Sequence, residues 1–221
     1  MKPLPFLYII LVFFFIAGCK NSHEKEKILL KEYFEMLPAD LLPEFVSREK
    51  CIEQLNSIDD YYQGWSDAGP IRTYDESNGY MSLSETEYDW VLTFRKLNNG
   101  KNMLLVNDSN ESGSHIRIYF YESGKLVEDI KYKPYENVVY AVEDFVDLSM
   151  LNDEAIEVAN NLFKNDMYDV FYHLPEVGDT ILVAARFEDP KDYDNMYVDE
   201  INFEAFKFCT LIWVDDKWMK E

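Results

Sequence analysis

The chain has 221 residues, and its 42 acidic against 21 basic side chains give a formal net charge of −21. A surface of that sign repels phosphate backbones, which argues against nucleic-acid binding and against docking flat on anionic lipid. It permits cations, basic partners or neutral sugars, and its plainest role is solubility.

Residues 1–18 hold one charge, Lys2, ahead of an apolar run from Leu4 to Ala17. A basic start, a short apolar core and small residues at the end make a secretory signal peptide. The run is short for a membrane span, which needs about 20 apolar residues. Its end, Ile16-Ala17-Gly18-Cys19, resembles the bacterial lipobox. The resemblance implies a diacylglycerol thioether on Cys19, cleavage before it and acylation of the new N-terminus. A chain so modified is held at a membrane by lipid, with each buried methylene adding about 0.8 kcal/mol. Residues 20–27, polar and poor in structure formers, follow the lipidated Cys19 as a tether, so that 19–27 links the bilayer to a domain at 28–221. Lys20 stands where an aspartate would favour inner-membrane retention, which favours the outer membrane of a Gram-negative cell envelope.

Leu30, Phe34 and Leu37 recur at helical spacing and predict a helix over 28–37, stopped by Pro38. Ser47 is a good N-cap for a second helix running to about Ile58. Gly69-Pro70 mark a loop at 66–70. The period then changes. Trp90, Leu92 and Phe94 alternate with Thr93 and Arg95, and Asn98-Asn99-Gly100 turns the chain into a returning strand at 102–107. Ile116, Ile118 and Phe120 alternate with Arg117, Tyr119 and Tyr121, and Ser123-Gly124 lead into 125–132. This pattern predicts a half-buried antiparallel meander. A helix over 152–163 begins with acidic residues that complement its dipole. Strands near 167–173 and 179–187 follow, and the chain closes through 203–214, a turn at Val214–Lys217 and a last strand. The expected class is α+β: N-terminal helices, an antiparallel meander, then a further helix and antiparallel strands in one domain.

Leu37–Phe45, Ile116–Asp129 and Leu211–Lys220 together look like an exported family of the Bacteroidales whose function is unknown. The resemblance spans most of the mature chain and rests on a leucine-proline turn, a strand-turn-strand and a closing hairpin. It brings no catalytic residue with it.

The chemistry-bearing residues are sparse. His23, His115 and His173 are scattered, without the spacing of a helical zinc pair. No nucleophile elbow, phosphate loop or dinucleotide fingerprint occurs, and Ser112 and Ser114 flank Gly113 without a base beside them in sequence. The stretch 108–113 starts like a calcium loop but has Tyr119 where the bidentate glutamate belongs. Asp189, Asp192, Asp194 and Asp199 are candidate calcium ligands, against the plainer reading of a solvated acidic loop. No other cofactor is expected. Tyr61, Tyr62 and Trp65 surround a glycine and are candidate ligand-binding rings for a glycan or an envelope protein. Cys51 and Cys209 sit among apolar neighbours as free, buried thiols. The sequence therefore reads as a lipid-anchored binding or interaction module, with an envelope hydrolase built on dispersed carboxylates, or an assembly factor, as alternatives. Replacing Cys19 by alanine is expected to abolish fatty-acid labelling and leave a precursor or an unlipidated exported form. Labelling that persists in the variant would overturn the lipobox reading.

Overall fold

The computed structural model describes residues 28–44, 46–64, 69–85, 88–110, 113–187 and 201–221. No helix among them is long and apolar enough to cross a membrane. The class is α+β, and every sheet pairing is antiparallel.

Two short helices come first, α1 (Leu30–Met36) and α2 (Arg48–Leu55). Ser47 Oγ accepts from Lys50 N at the start of α2, satisfying one of the donors that a helix leaves open at its first turn. The start of α1 is met from two sides. Leu29 N donates to Glu32 Oε2 at 2.6 Å, and Leu30 N donates to buried Glu76 Oε2 at 3.0 Å. Tyr74 OH donates to the same Glu76 oxygen at 2.6 Å.

Glu76 is placed by a tight turn. Asp75 accepts from Ser77 N and Asn78 N, from the Ser77 hydroxyl and from the Asn78 amide. Burial works against its charged form, but these donors outweigh it and hold the carboxyl below its usual range. Gly79 closes the turn at φ +63°, with a Cβ position already occupied by the Phe94 ring, so no larger residue fits there.

The large sheet runs β1 (Tyr61–Gln63), β2 (Ile71–Asp75), β3 (Tyr80–Glu85), β4 (Tyr88–Lys96), β5 (Asn102–Asn110), β6 (Gly113–Glu122) and β7 (Lys125–Glu128), in that order. Periodicity places the first strand at 90, whereas the sheet begins at 61. Strand β2 is buried almost continuously, and a register shift between Ile71 and Thr73 breaks its alternation, so period-two reasoning passes over it.

The expected half-buried meander is corrected by β5. Met103, Leu104, Leu105 and Val106 are all buried. Leu104 and Val106 join Trp90, Leu92 and Leu83 in a core against α1 and α2. Met103 and Leu105 join Val91 and Ile118 in a second core on the opposite face. The cause is an unbroken apolar run, the pattern of a strand covered on both sides. Thr93 and Arg95, which alternation assigns to solvent, are buried for the same reason, and Arg95 Nη1 donates to Gly178 O at 2.6 Å and pairs with Asp179.

What covers the second face is α3 (Asp153–Lys164) and a small sheet of β8 (Tyr168–His173), β9 (Ile181–Phe187), β10 (Cys209–Val214) and β11 (Lys217–Lys220), ordered β11-β10-β9-β8. Asn152 caps α3 through its side-chain oxygen and Ala155 N, 2.9 Å apart. Asp215 and Asp216, both at positive φ, make the two-residue turn between β10 and β11. The two sheets meet where Asn107 Nδ2 donates to Tyr172 O at 2.8 Å and Tyr172 N donates to Ser114 Oγ at 2.9 Å. Gly113, at φ +100°, lets β8 approach closely, since a Cβ there would lie 3.1 Å from Val170 O. Layers therefore stack as helices, large sheet, then small sheet with α3. Leu104→Ala and Leu105→Ala are each expected to cost about 2–5 kcal/mol in urea unfolding, because each empties a different core. A small loss for either one would contradict burial on both faces.

Candidate functional site

The candidate site residues Cys19, Trp65, Asp189, Asp192, Asp194 and Asp199 lie outside the described residues, as do His23 and Ser112. Tyr61 and Tyr62 are on edge strand β1, where alternation sends them to opposite faces. Tyr61 is exposed, and its OH donates to Gln63 Oε1 at 3.2 Å. Desolvation and then the charges of Glu176 and Asp75 hold its phenol above the ordinary value. Tyr62 packs against the first core. The two rings therefore do not share one platform.

Among the described residues, no group of three or more His, Cys, Asp or Glu is arranged to hold a metal. The stretch beginning at Asp108 runs along β5 and turns into β6, with Asn110 opposite Gly113, so it is a hairpin rather than a calcium loop. Ser114 Oγ accepts from Tyr172 N and lies 2.5 Å from Ser109 Oγ, which makes it part of the joint between sheets. His115, its neighbour, points to the other face of the strand. His173, exposed at the end of β8, stands edge-on to Phe208, 5.6 Å between ring centroids, and crowding by its protein neighbours holds its imidazole below the usual value against the opposing charge of Asp89.

The thiols are separated by the layers. Cys51 lies in the core under α1 and α2, Cys209 in the core under the small sheet, and both are free. Burial pushes the Cys51 thiol up to about 12, and Cys209 is raised for the same reason. Neither has the character of a nucleophile.

A concave site does exist, elsewhere. Pairing of β10 with β9 begins at Cys209 and Val183, so beyond Val183 β10 no longer accompanies β9. The chain leading into β10 has instead turned toward residues 145–147. Phe203–Ala205 form a 3-10 turn, Phe206 bridges to Val146, Asp147 N donates to Ala205 O at 2.7 Å, and Lys207 N donates to Phe145 O at 2.8 Å. Between this segment and β9 opens a cleft of about 440 Å³. Ala184, Phe171 and Phe187 form one side, and Phe203, Phe206 and Phe208 the other. Alanine leaves the space and the phenylalanines wall it. Arg186 reaches the cleft but also donates to Asp169 Oδ2 at 2.7 Å and lies over the Phe171 ring, 5.4 Å from its centroid. Lys207 and Glu204 complete the polar lining.

Glu204 is the one carboxylate among the described lining residues, so no carboxylate pair for hydrolysis is assembled there. The cleft has apolar walls, few polar groups, and rings whose faces suit apolar or aromatic groups. Sequence reasoning missed it because its rings come from two strands and a turn with no common spacing. The one available signal was the density of phenylalanine at 203, 206 and 208.

No family model and no curated protein matches the chain. A solved domain of an uncharacterised protein from Porphyromonas gingivalis W83 is similar in structure. It superposes with a TM-score of 0.58 at 11% identity, covering 87% of this chain and 98% of that one. The likeness is one of fold. Its source among the Bacteroidales agrees with the resemblance carried by Leu37–Phe45, Ile116–Asp129 and Leu211–Lys220.

Both thiols are expected to resist iodoacetamide at neutral pH in the folded protein and to react after unfolding in guanidinium chloride. A non-reducing mass map that links the Cys51 and Cys209 peptides would overturn this, since it requires the central sheet to be breached.

Proposed function

We propose that this chain is a lipid-anchored binding module of the cell envelope, held through Cys19 at the outer membrane and acting through the aromatic cleft of the small sheet. The observation that carries the reading is the cleft itself, an apolar hollow of about 440 Å³ with Phe203 and Phe208 left largely in water beside it. Exposed phenylalanines around a concave apolar site mark binding surfaces. The signal peptide and lipobox pattern supports the address, and the Porphyromonas gingivalis domain supports the fold.

In this reading residues 28–221 act as one domain, and the helices that open it receive the tether of residues 19–27. Calcium at Asp189, Asp192, Asp194 and Asp199 is a separate, subsidiary proposal. It is supported only by the crowding of four aspartates, and it requires a melting temperature that rises with calcium but not with magnesium. A glycan or protein contact at Tyr61 is supported by that ring's exposure alone.

The neutral fluorophore N-phenylnaphthylamine tests the cleft, using the full Cys19→Ala chain so that lipid does not take up the dye. Saturable fluorescence enhancement is expected, and Phe208→Ser should weaken it about tenfold by removing one ring's apolar contact. No enhancement, or enhancement unchanged in the variant, would overturn the cleft as the binding site.

A further inference from the structure

Over its second half, strand β9 is bonded along one edge only. Opposite residues in an antiparallel ladder alternate between pairs that exchange both N–H···O bonds and pairs that exchange none. Tyr172 gives its N–H to Ser114 Oγ at 2.9 Å, and its carbonyl accepts from Asn107 Nδ2 at 2.8 Å, so its backbone groups point away from β9. Its partner Val183 therefore turns its own N–H and C=O away from β8 and toward Cys209 of β10. Alternation gives Ala185 and Phe187 the same direction.

Continued at that register, β10 would set Lys207 against Ala185 and Ala205 against Phe187. Both are engaged elsewhere. Lys207 N donates to Phe145 O at 2.8 Å, and Ala205 O accepts from Asp147 N at 2.7 Å. The N–H and C=O of Ala185 and the N–H of Phe187 consequently face the cleft. No backbone group of the described segment across it, residues 203–208, bonds to them.

We infer that the cleft takes up one extended, uncharged apolar segment of another polypeptide, added to β9 as a strand; this rests on the binding-module reading and names the partner class. Strand addition draws affinity from main-chain bonds and selectivity from pockets for alternate side chains. Ala184 to Phe187 offers roughly 13 Å of strand for such bonds. A residue set against Ala185 shares its face. Phe187 and Phe206, 5.9 Å apart between centroids, lie on that side, where the alanine leaves room. The next residue of the segment turns to the opposite face, where Phe171 and Phe208 stand. Rings on both faces select apolar residues at successive positions.

Charge narrows the partner further. Among the described lining residues Arg186 is paired with Asp169, and Lys207 and Glu204 are of opposite sign. A charged segment would give up its hydration there without a net charge to receive it. A second copy of this chain brings −21 against −21, and like charge opposes its approach. A free amphiphile fills the apolar walls but lacks the alternating amides that answer Ala185 and Phe187.

Three capped hexapeptides, titrated into the full Cys19→Ala chain, test this. The first alternates valine with alanine, the second is the same with every backbone amide N-methylated, and the third alternates valine with glutamate. The first is expected to bind at least about tenfold more tightly than either other, since two or three main-chain bonds are lost by methylation. It should slow hydrogen exchange at the Ala185 amide by about tenfold or more and leave the Ala184 and Arg186 amides, already bonded to β8, unchanged. Ala185→Pro removes a donor that no strand pairing of the fold uses, so it should keep the circular dichroism spectrum and weaken the first peptide about tenfold. The exchange measurement needs no variant and decides the matter if the proline chain fails to fold. Equal binding of the N-methylated peptide would reduce the site to an apolar hollow and overturn the inference. So would equal binding of the glutamate peptide, unchanged exchange at Ala185 under saturating first peptide, or self-association that Ala185→Pro abolishes. If N-phenylnaphthylamine binds and no peptide does, this inference falls and the binding module stands. If neither binds, both fall.

Discussion

Burial of β5 on both faces is the constraint on which the rest of the molecule depends. Four consecutive side chains, Met103 to Val106, leave water together. A strand can do that only if something covers each side of the sheet, because its side chains alternate. The helices at one end of the chain cover Leu104 and Val106, and the elements at the other end cover Met103 and Leu105. Neither cover has a core of its own without the sheet between them. Each buried leucine contributes about 1.5–3 kcal/mol, so the two halves of the chain are coupled through one strand. The separation of Cys51 from Cys209 follows from the same layering.

The parts of this fold legible in the sequence are those governed by local chemistry. Asn98-Asn99-Gly100 announces the hairpin between β4 and β5, and Gly100 does take a positive φ of 81°. Asn152 with Asp153 and Glu154 announces α3. Asp215-Asp216 turns the last hairpin. What was hidden is governed by contacts distant in sequence. Thr93 and Arg95 have the residue types of an exposed face yet are buried under the second cover, where Arg95 donates to Gly178 O, 83 residues on, and pairs with Asp179. Strand β2 breaks alternation because it is buried almost continuously and shifts register between Ile71 and Thr73. The cleft was invisible because it exists only where two chain segments part company after Val183.

Polar side chains here mostly act as fasteners between layers. Glu76 holds the first turn of α1 to the sheet, and Gln54 binds both N–H and C=O of Ile71 from α2. Trp90 donates its indole N–H to Leu41 O at 2.8 Å from within the same core. Arg117 grips Glu128 through two nitrogens, the fork geometry that arginine offers and lysine lacks. These bonds each add little net stability, yet leaving any partner unmet inside the protein costs more than the bond contributes. They specify which face packs where.

The small sheet ends in two strands whose outer edges are already engaged. On β8, Tyr172 gives its carbonyl to Asn107 and its N–H to Ser114. On β11, Trp218 N donates to Pro134 O at 3.0 Å, and Lys217 and Lys220 flank it, the second held by Asp144 and Val139 O. An open strand edge is a template for adding another strand from another chain. At Tyr172 and Trp218 those edge groups are already taken, so a strand from a second molecule pressed against either outer edge of this sheet has no continuous ladder to pair with.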